Sequence, residues 1–384
     1  MEWTHCRVSD LAEIISGGTP KTSIESYWNG NIPWLSVKDF SGDSKYVSST
    51  EKTITEEGLN HSAANLLDVN DIVISARGTV GELAMLSVPM SLNQSCFGLR
   101  PKCDADYLYY LLKIKVAELK QRANGGVFGT IIRTTFDSIK CTLPLELKDQ
   151  HRIASILSTY DTFIENNTKR IRLLEKMAEN LYKEWFVRFR FPGHENVEME
   201  NGLPKGWKRG SLSDVCEFKR GKNITSSEMQ EGNVPVISAG LEPSGYHSCS
   251  NVKGVNVTMS SSGANAGYIA IHYSDIWAAD CSYIEESTTG NIYYVYELLN
   301  NIRTVINNFQ RGAAQPHVYP KDVNRIKLIL PSKELMLKAN GRLEIMHKEI
   351  YNLQKQNSLL ARQRDLLLPR LMSGKLEVKK ELLE

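Results

Sequence analysis

Apolar residues step by four and three through residues 147 to 189: Ile153, Leu157, Tyr160, Ile164, Ile171, Leu174, Ala178, Leu181 and Trp185, with Asn167 as the one polar interruption. That is a heptad seam, and it predicts a long helix lying against another helix. A second seam follows Pro331 through Met336, Ala339, Leu343, Met346, Ile350, Leu353, Asn357, Leu360, Arg364, Leu367 and Leu371. Laid antiparallel so that facing positions sum to 524, the seams pair Ile153 with Leu371, Leu157 with Leu367, Ile164 with Leu360, Ile171 with Leu353, Leu174 with Ile350 and Leu181 with Leu343. Trp185 then faces Ala339 and Ala178 faces Met346, large against small, while Asn167 meets Asn357. An asparagine layer would fix the register, because a slip strands amides in an apolar seam.

Outside the seams the patterns are shorter. Ile32-Pro33-Trp34-Leu35-Ser36-Val37 and Asp71-Ile72-Val73-Ile74-Ser75 are compact apolar runs between turn formers, which predicts buried strands. Residues 107–122 predict a helix with Leu108, Leu111, Leu112, Val116 and Leu119 on one face, stopped at Asn124-Gly125-Gly126. The same order returns later, with strands at 234–238 and 255–260 and a helix over 293–309 before Arg311-Gly312. Trp3 with Ser9-Asp10-Leu11 recurs 204 positions on as Trp207 with Ser213-Asp214-Val215. Ile139-Lys140-Cys141-Thr142-Leu143-Pro144 recurs as Ile326-Lys327-Leu328-Ile329-Leu330-Pro331. The expected organisation is therefore two α/β (α+β) domains, 1–145 and 193–330, each followed by a spacer helix, 146–192 and 331–384. It is an internal pseudo-twofold repeat with the two helices forming an antiparallel coiled coil.

Composition narrows the chemistry. At 384 residues and 41% hydrophobic content the chain supports two cores. A net charge of +2 confines any basic surface to local patches. Residues 1–145 hold 14 Lys/Arg against 16 Asp/Glu, and residues 331–384 hold 11 against 7, so the last helix is the basic part. Seven cysteines without a Cys-x-x-Cys pair fit a reduced, cytoplasmic chain with neither a disulfide framework nor a zinc site. No secretory signal and no membrane-spanning run is expected. The sequence has no phosphate loop, no Gly-x-Gly-x-x-Gly, no His-Glu-x-x-His and no Asn/Asp-Pro-Pro-aromatic motif for amino methylation, which points to a binder rather than a catalyst. A scaffold with two protein-binding ends fits the same pattern.

Four segments then carry a family resemblance: Leu368-Pro369-Arg370-Leu371-Met372-Ser373-Gly374-Lys375-Leu376-Glu377-Val378; the stretch from Asn70 to Gly81; Ile32-Pro33-Trp34-Leu35-Ser36-Val37-Lys38-Asp39; and Leu203-Pro204-Lys205-Gly206-Trp207. Together they resemble the specificity subunit of type I restriction-modification enzymes over nearly the whole chain. The resemblance implies that each domain is a target recognition domain reading one half of a split, asymmetric site in double-stranded DNA. It also implies that the paired helices set the spacing and dock two methyltransferase subunits, which hold S-adenosylmethionine and through which restriction subunits join. No cofactor is expected in this chain itself. A spacer of roughly 36 residues at ~1.5 Å each would be about 54 Å long, on the order of one and a half turns of B-DNA at ~34 Å per turn.

Candidate contacts follow from residue chemistry. Arg77, in a glycine-flanked turn with Thr79, suits a guanine edge or a phosphate, or else is a solvated turn arginine. Lys38 lies within the resembling segment that ends at Asp39. Asn93 and Gln94 suit adenine, or else satisfy loop backbone. Arg122 and Arg133 flank a glycine-rich loop, 125–130, matched in the second copy by Gln310 to His317 with Arg311 and Gln315 in it; such loops suit close approach to a groove or phosphate, or else are a helix stop and connection. The second copy has Ser260-Ser261-Ser262-Gly263-Ala264-Asn265-Ala266-Gly267 where the first has the Arg77 turn, so Ser262 and Asn265 become candidates. Its cations sit instead at Lys219-Arg220-Gly221-Lys222-Asn223, making Arg220, Lys222 and Asn223 candidates. Tyr107, Tyr109, Tyr110, Tyr293, Tyr294 and Tyr296 are expected to be packing residues. Arg362, Arg364, Arg370, Lys375, Lys379 and Lys380 are expected to form a solvated face.

Overall fold

The structure is a computed structural model describing residues 1–40, 44–123, 129–312 and 316–378. The chain divides into two compact units, Met1–Asn167 with Gln356–Glu384, and Thr168–Lys355, so each unit takes one globular domain and part of both long helices.

In the first unit a five-stranded sheet runs in the order Ala12–Ser16, Cys96–Pro101, Ile72–Ser75, Leu83–Leu86, Tyr46–Val47. All four residues of Ile72–Ser75 are buried, as an unbroken apolar run requires of a central strand. A four-stranded sheet beside it places Lys52–Ile54, Trp28–Leu35, Met90–Leu92 and Leu66–Leu67 in that order. The second unit repeats this plan with Lys219–Arg220, Cys281–Glu285, Asn256–Ser260 and Ile269–His272, and a three-stranded sheet of Gly245–His247, Val234–Ile237 and Trp277–Ala278. Even the unusual parallel pairings recur, Leu35 with Leu92 and Ile237 with Ala278.

The duplicated sequence ends pair with each other inside each unit. Trp3–Arg7 lies antiparallel to Lys140–Pro144, with Arg7 opposite Lys140, and Lys208–Ser211 lies antiparallel to Lys327–Leu330, with Ser211 opposite Lys327. Both copies then turn on the same device. Asp10 Oδ2 accepts the Arg7 amide at 2.8 Å, and Asp214 Oδ2 accepts the Ser211 amide at 2.7 Å. That backbone bond, joined by the Ser211 hydroxyl, holds the Asp214 carboxyl below the usual carboxylate range.

The helix Ala105–Gln121 is capped by Asp104, whose Oδ1 accepts the Tyr107 amide at 2.8 Å. Asp104→Ala is expected to cost about 1 kcal/mol in urea unfolding; an unchanged midpoint would show the cap to be idle. Tyr107, Tyr109, Tyr110, Tyr293 and Tyr294 are buried in the two cores and Tyr296 packs against the second, as expected of packing residues. The matching second-copy helix is not continuous over 293–309. It forms as Ile292–Asn301 and Arg303–Asn307, broken at Ile302, where ψ rises to 13° after the weak helix formers Asn300 and Asn301.

The long helices span Leu147–Tyr182 and Lys333–Met372. The first does not stay regular to Phe189: a π-helical turn at Lys183–Val187 carries Trp185 and Phe186 into the core, and Phe189 is left-handed, with φ of 59°. In the first unit Ile153 and Leu157 share a core with Leu367, Leu368 and Leu371. In the second, Ile171 and Leu174 cluster with Ile350 and Leu353, and Ala178, Leu181 and Trp185 with Met346, Leu343 and Ala339. Rising numbers on one helix meet falling numbers on the other, so the two run antiparallel within each unit. At the polar layer the Asn167 amide donates to Gln356 Oε1 at 3.4 Å, beside half-buried Asn357.

Arg364 corrects the expected solvated face. It is 8% exposed, ion-paired to buried Asp161, which also accepts the Tyr110 hydroxyl. A guanidinium on the seam stays there because a carboxylate is buried with it. Arg362, Arg370 and Lys375 are exposed as expected, whereas Lys379 and Lys380 lie outside the described residues.

Candidate nucleic-acid interface

In the first unit, four loops gather at the ends of strands Trp28–Leu35, Ile72–Ser75 and Met90–Leu92. Asn93 N–H donates to Leu35 O at 2.9 Å, Ala76 and Arg77 N–H groups donate to Ser95 O at 2.7 and 3.3 Å, and Ile131 N–H donates to Ala76 O at 3.1 Å. Gly78, with φ of 75°, lies beside Val37, and the Lys120 side chain lies over Gly81. These bonds bring Lys38, Arg77, Thr79, Asn93, Gln94 and Arg133 to one patch, next to the helix end bearing Arg122. Lys38, Arg77, Thr79, Gln94 and Arg133 are exposed there. Among the described residues no carboxylate pairs with Lys38, Arg77 or Arg133.

Other members of the patch are already engaged. Asn93 Oδ1 accepts the Ser95 amide at 3.0 Å, so its carboxamide holds the loop. Gln94 Oε1 accepts the Thr19 hydroxyl, and Arg122 donates to Glu118 at 2.9 Å. Residues 124–128 of the glycine-rich loop lie outside the described residues.

The second unit builds the same cluster with the same backbone bonds. Ser75 N–H to Glu82 O and Gly81 N–H to Ser75 O, both 2.9 Å, return as Ser260 to Tyr268 and Gly267 to Ser260, both 2.9 Å. Ile131 to Ala76 returns as Val318 to Ser261 at 3.0 Å, and Asn93 to Leu35 as Ala279 to Ile237 at 2.8 Å. Gly81 and Gly267 have φ of 87° and 83°. On this matching Ser262 stands where Arg77 stands. It is buried and donates to Asp280 Oδ2 at 2.6 Å, which corrects its candidacy as a groove contact: it fastens its own turn. Asn265 is half-buried, its carbonyl accepting the Tyr268 amide at 2.9 Å. Arg311 pairs with Asp322 at 2.9 Å and exchanges backbone bonds with His317. Gln315 lies outside the described residues. Arg220, Lys222 and Asn223 are exposed.

One segment escaped the sequence reading. Gly18 N–H donates to Leu92 O at 2.8 Å and Gly18 O accepts the Trp34 indole at 2.9 Å; Lys222 N–H donates to Ala278 O at 2.9 Å and Lys222 O accepts the Trp277 indole at 2.9 Å. Ser16-Gly17-Gly18-Thr19 is therefore the first-copy counterpart of Arg220-Gly221-Lys222-Asn223. The signal was present, since Gly17 and Gly221 keep the 204-residue offset of the tryptophans. The first copy simply carries no charge there to draw attention.

Among the described residues no helix is long and apolar enough to cross a membrane. The chain is 28% identical over 407 residues to the MjaIX type I restriction enzyme specificity subunit of Methanocaldococcus jannaschii, covering 98% of this chain and 94% of that one. It is 31% identical over 210 residues to the Escherichia coli EcoR124I/EcoR124II specificity subunit, covering 51% and 50%. Its fold matches the crystal structure of a type I restriction-modification S subunit from M. genitalium with a TM-score of 0.61 at 19% identity, over 99% of this chain and 97% of that one. A family model for the type I restriction modification DNA specificity domain matches residues 1–176 and again 204–357, once for each copy of the repeat, and the chain belongs to that family as a specificity subunit of type I restriction-modification systems.

Proposed function

We propose that this chain is the non-catalytic, cytoplasmic subunit that reads a bipartite, asymmetric site in double-stranded DNA, one domain per half-site. The supporting observation is the loop cluster. Two copies fix it with matching backbone bonds, yet one presents Arg77 and the other Lys222, with Ser262 withdrawn. A constant frame with unlike side chains is what reading two unlike half-sites requires.

The chain also scaffolds its partners, two methyltransferase subunits bringing S-adenosylmethionine and, through them, restriction subunits. Exposed apolar side chains on the long helices support this: Phe163, Leu359 and Leu366 in the first unit, Leu173, Met177 and Ile345 in the second, each more than half exposed. The test is methylation mapping in cells that express the chain with its methyltransferase. One split motif should be modified, and exchanging residues 1–145 for those of a relative should change one half only. A methylation pattern indifferent to this chain would end the proposal.

A further inference from the structure

Lys222 occupies a position whose backbone is held on both sides, its N–H by Ala278 O and its carbonyl by the Trp277 indole, each at 2.9 Å. The matching amide bond holds Gly18 in the first copy, where the carbonyl is again met by an indole, that of Trp34 on the partner strand of the parallel pair. Only the side chain is left to differ, and the surroundings decide how. A Cβ on Gly18 would come within 2.3 Å of the Ala63 carbonyl carbon and 2.4 Å of the Ala64 amide nitrogen, so the first copy has no room for one. That space is filled by the 62–65 segment, tied down by Asn65 Nδ2 donating to Ser16 O at 3.0 Å. In the second copy the position is open, and Lys222 is exposed with Arg220 two residues before it. Among the described residues neither cation forms a direct ion pair; the exposed Glu228 carboxyl, held low first by its bonds to Thr225, also feels the Lys222 charge. Neighbouring Lys219 reaches Glu285 at 3.7 Å.

We infer that Arg220 and Lys222 form a phosphate anchor that belongs to the second domain alone. This rests on the DNA-reading function proposed above and adds the contact class. An ammonium on a flexible stem is a point charge, suited to a phosphate oxygen rather than to the two-pronged recognition of a base edge. Fixing the Lys222 backbone from both sides places that charge against the rigid sheet rather than on a free loop. The first copy has Ser16 and Gly18 at the matching positions, so its free cations, Lys38, Arg77 and Arg133, stand on other loops of the cluster. The two domains thus hold DNA by different loops of one frame.

The test uses the full chain with its methyltransferase subunits and two duplexes of equal length, one carrying the methylated motif and one scrambled. Binding is measured between 50 and 200 mM salt. Arg220→Ala with Lys222→Ala should make the log–log salt slope shallower by about 1.8, at ~0.9 per phosphate contact. The fourfold salt rise should therefore weaken the variant about tenfold less than the parent, on both duplexes alike, with the motif unchanged. Lys208→Ala, at an exposed lysine on the strand paired with Lys327–Leu330, should leave the slope alone. An unchanged slope in the double variant, or a loss confined to the motif duplex, overturns the anchor while leaving the DNA-reading function standing. A parent complex that shows neither salt-dependent DNA binding nor a motif overturns that function itself.

Discussion

Replacing Arg364 with alanine should destabilise the first unit by about 3–5 kcal/mol, the usual result of stripping one partner from a buried ion pair. Asp161 is 7% exposed and takes its neutralising charge from Arg364; the Tyr110 hydroxyl donates to it but brings no charge. With the guanidinium gone, the carboxylate stays ionised in an apolar seam or takes up a proton, and either route costs stability. Arg364→Met combined with Asp161→Leu should regain most of the loss, because an apolar pair of similar volume pays no desolvation penalty. Urea unfolding of the full chain gives the measurement. A single-variant loss below about 1 kcal/mol would mean that water reaches the pair.

Gly17→Ala and Gly221→Ala are the second pair of large effects. A Cβ on Gly17 would lie 2.0 Å from Asn93 O, and one on Gly221 2.4 Å from Ala279 O. Both neighbours are main-chain atoms that hold loops of the cluster, so no side chain can swing aside. The strands must part, at an expected cost of about 2–3 kcal/mol. Each variant should also degrade recognition of one half of the methylated motif and spare the other. Gly341→Ala is the contrast, since its Cβ meets nothing within 4 Å on a helix. That change should stabilise the chain by up to about 1 kcal/mol through helix propensity. If Gly17→Ala and Gly221→Ala both unfold at the parent's urea midpoint, the close approach of the two loops is not rigid.

What the sequence disclosed depended on whether the governing physics is periodic or local. The heptad steps placed Ile153, Leu157, Ile171 and Leu174 on the seam because every turn of a helix repeats the same face, and the unbroken apolar run Ile72–Ile74 marked a central strand because both faces of such a strand are covered. The break at Ile302 was hidden because it depends on two asparagines and a neighbouring core, not on a repeat. Arg364 read as a surface cation because nothing within its own heptads announces Asp161, 203 residues away. The candidate contacts divided along the same line. Lys38, Arg77, Arg133, Arg220 and Lys222 kept free charges, whereas Arg122, Arg311, Gln94 and Ser262 found partners in their own unit, and the sequence carries no sign of those partners. The Gly17-Gly18-Thr19 loop was legible only through the spacing of the duplication, never through its own residues.

The core of the first unit contains Leu368, Leu371, Met372 and Val378, while the whole second unit, Thr168–Lys355, is encoded between its two parts. On the ribosome the first domain is therefore begun early and closed late. At a synthesis rate of roughly 5–20 residues per second, its apolar floor waits on the order of ten to forty seconds for its last side chains. The second unit has all of its residues by Lys355 and can finish first. A frameshift or early stop near codon 360 would accordingly strike the first domain and leave the second whole, so the order in which the domains are written is the reverse of the order in which they are completed.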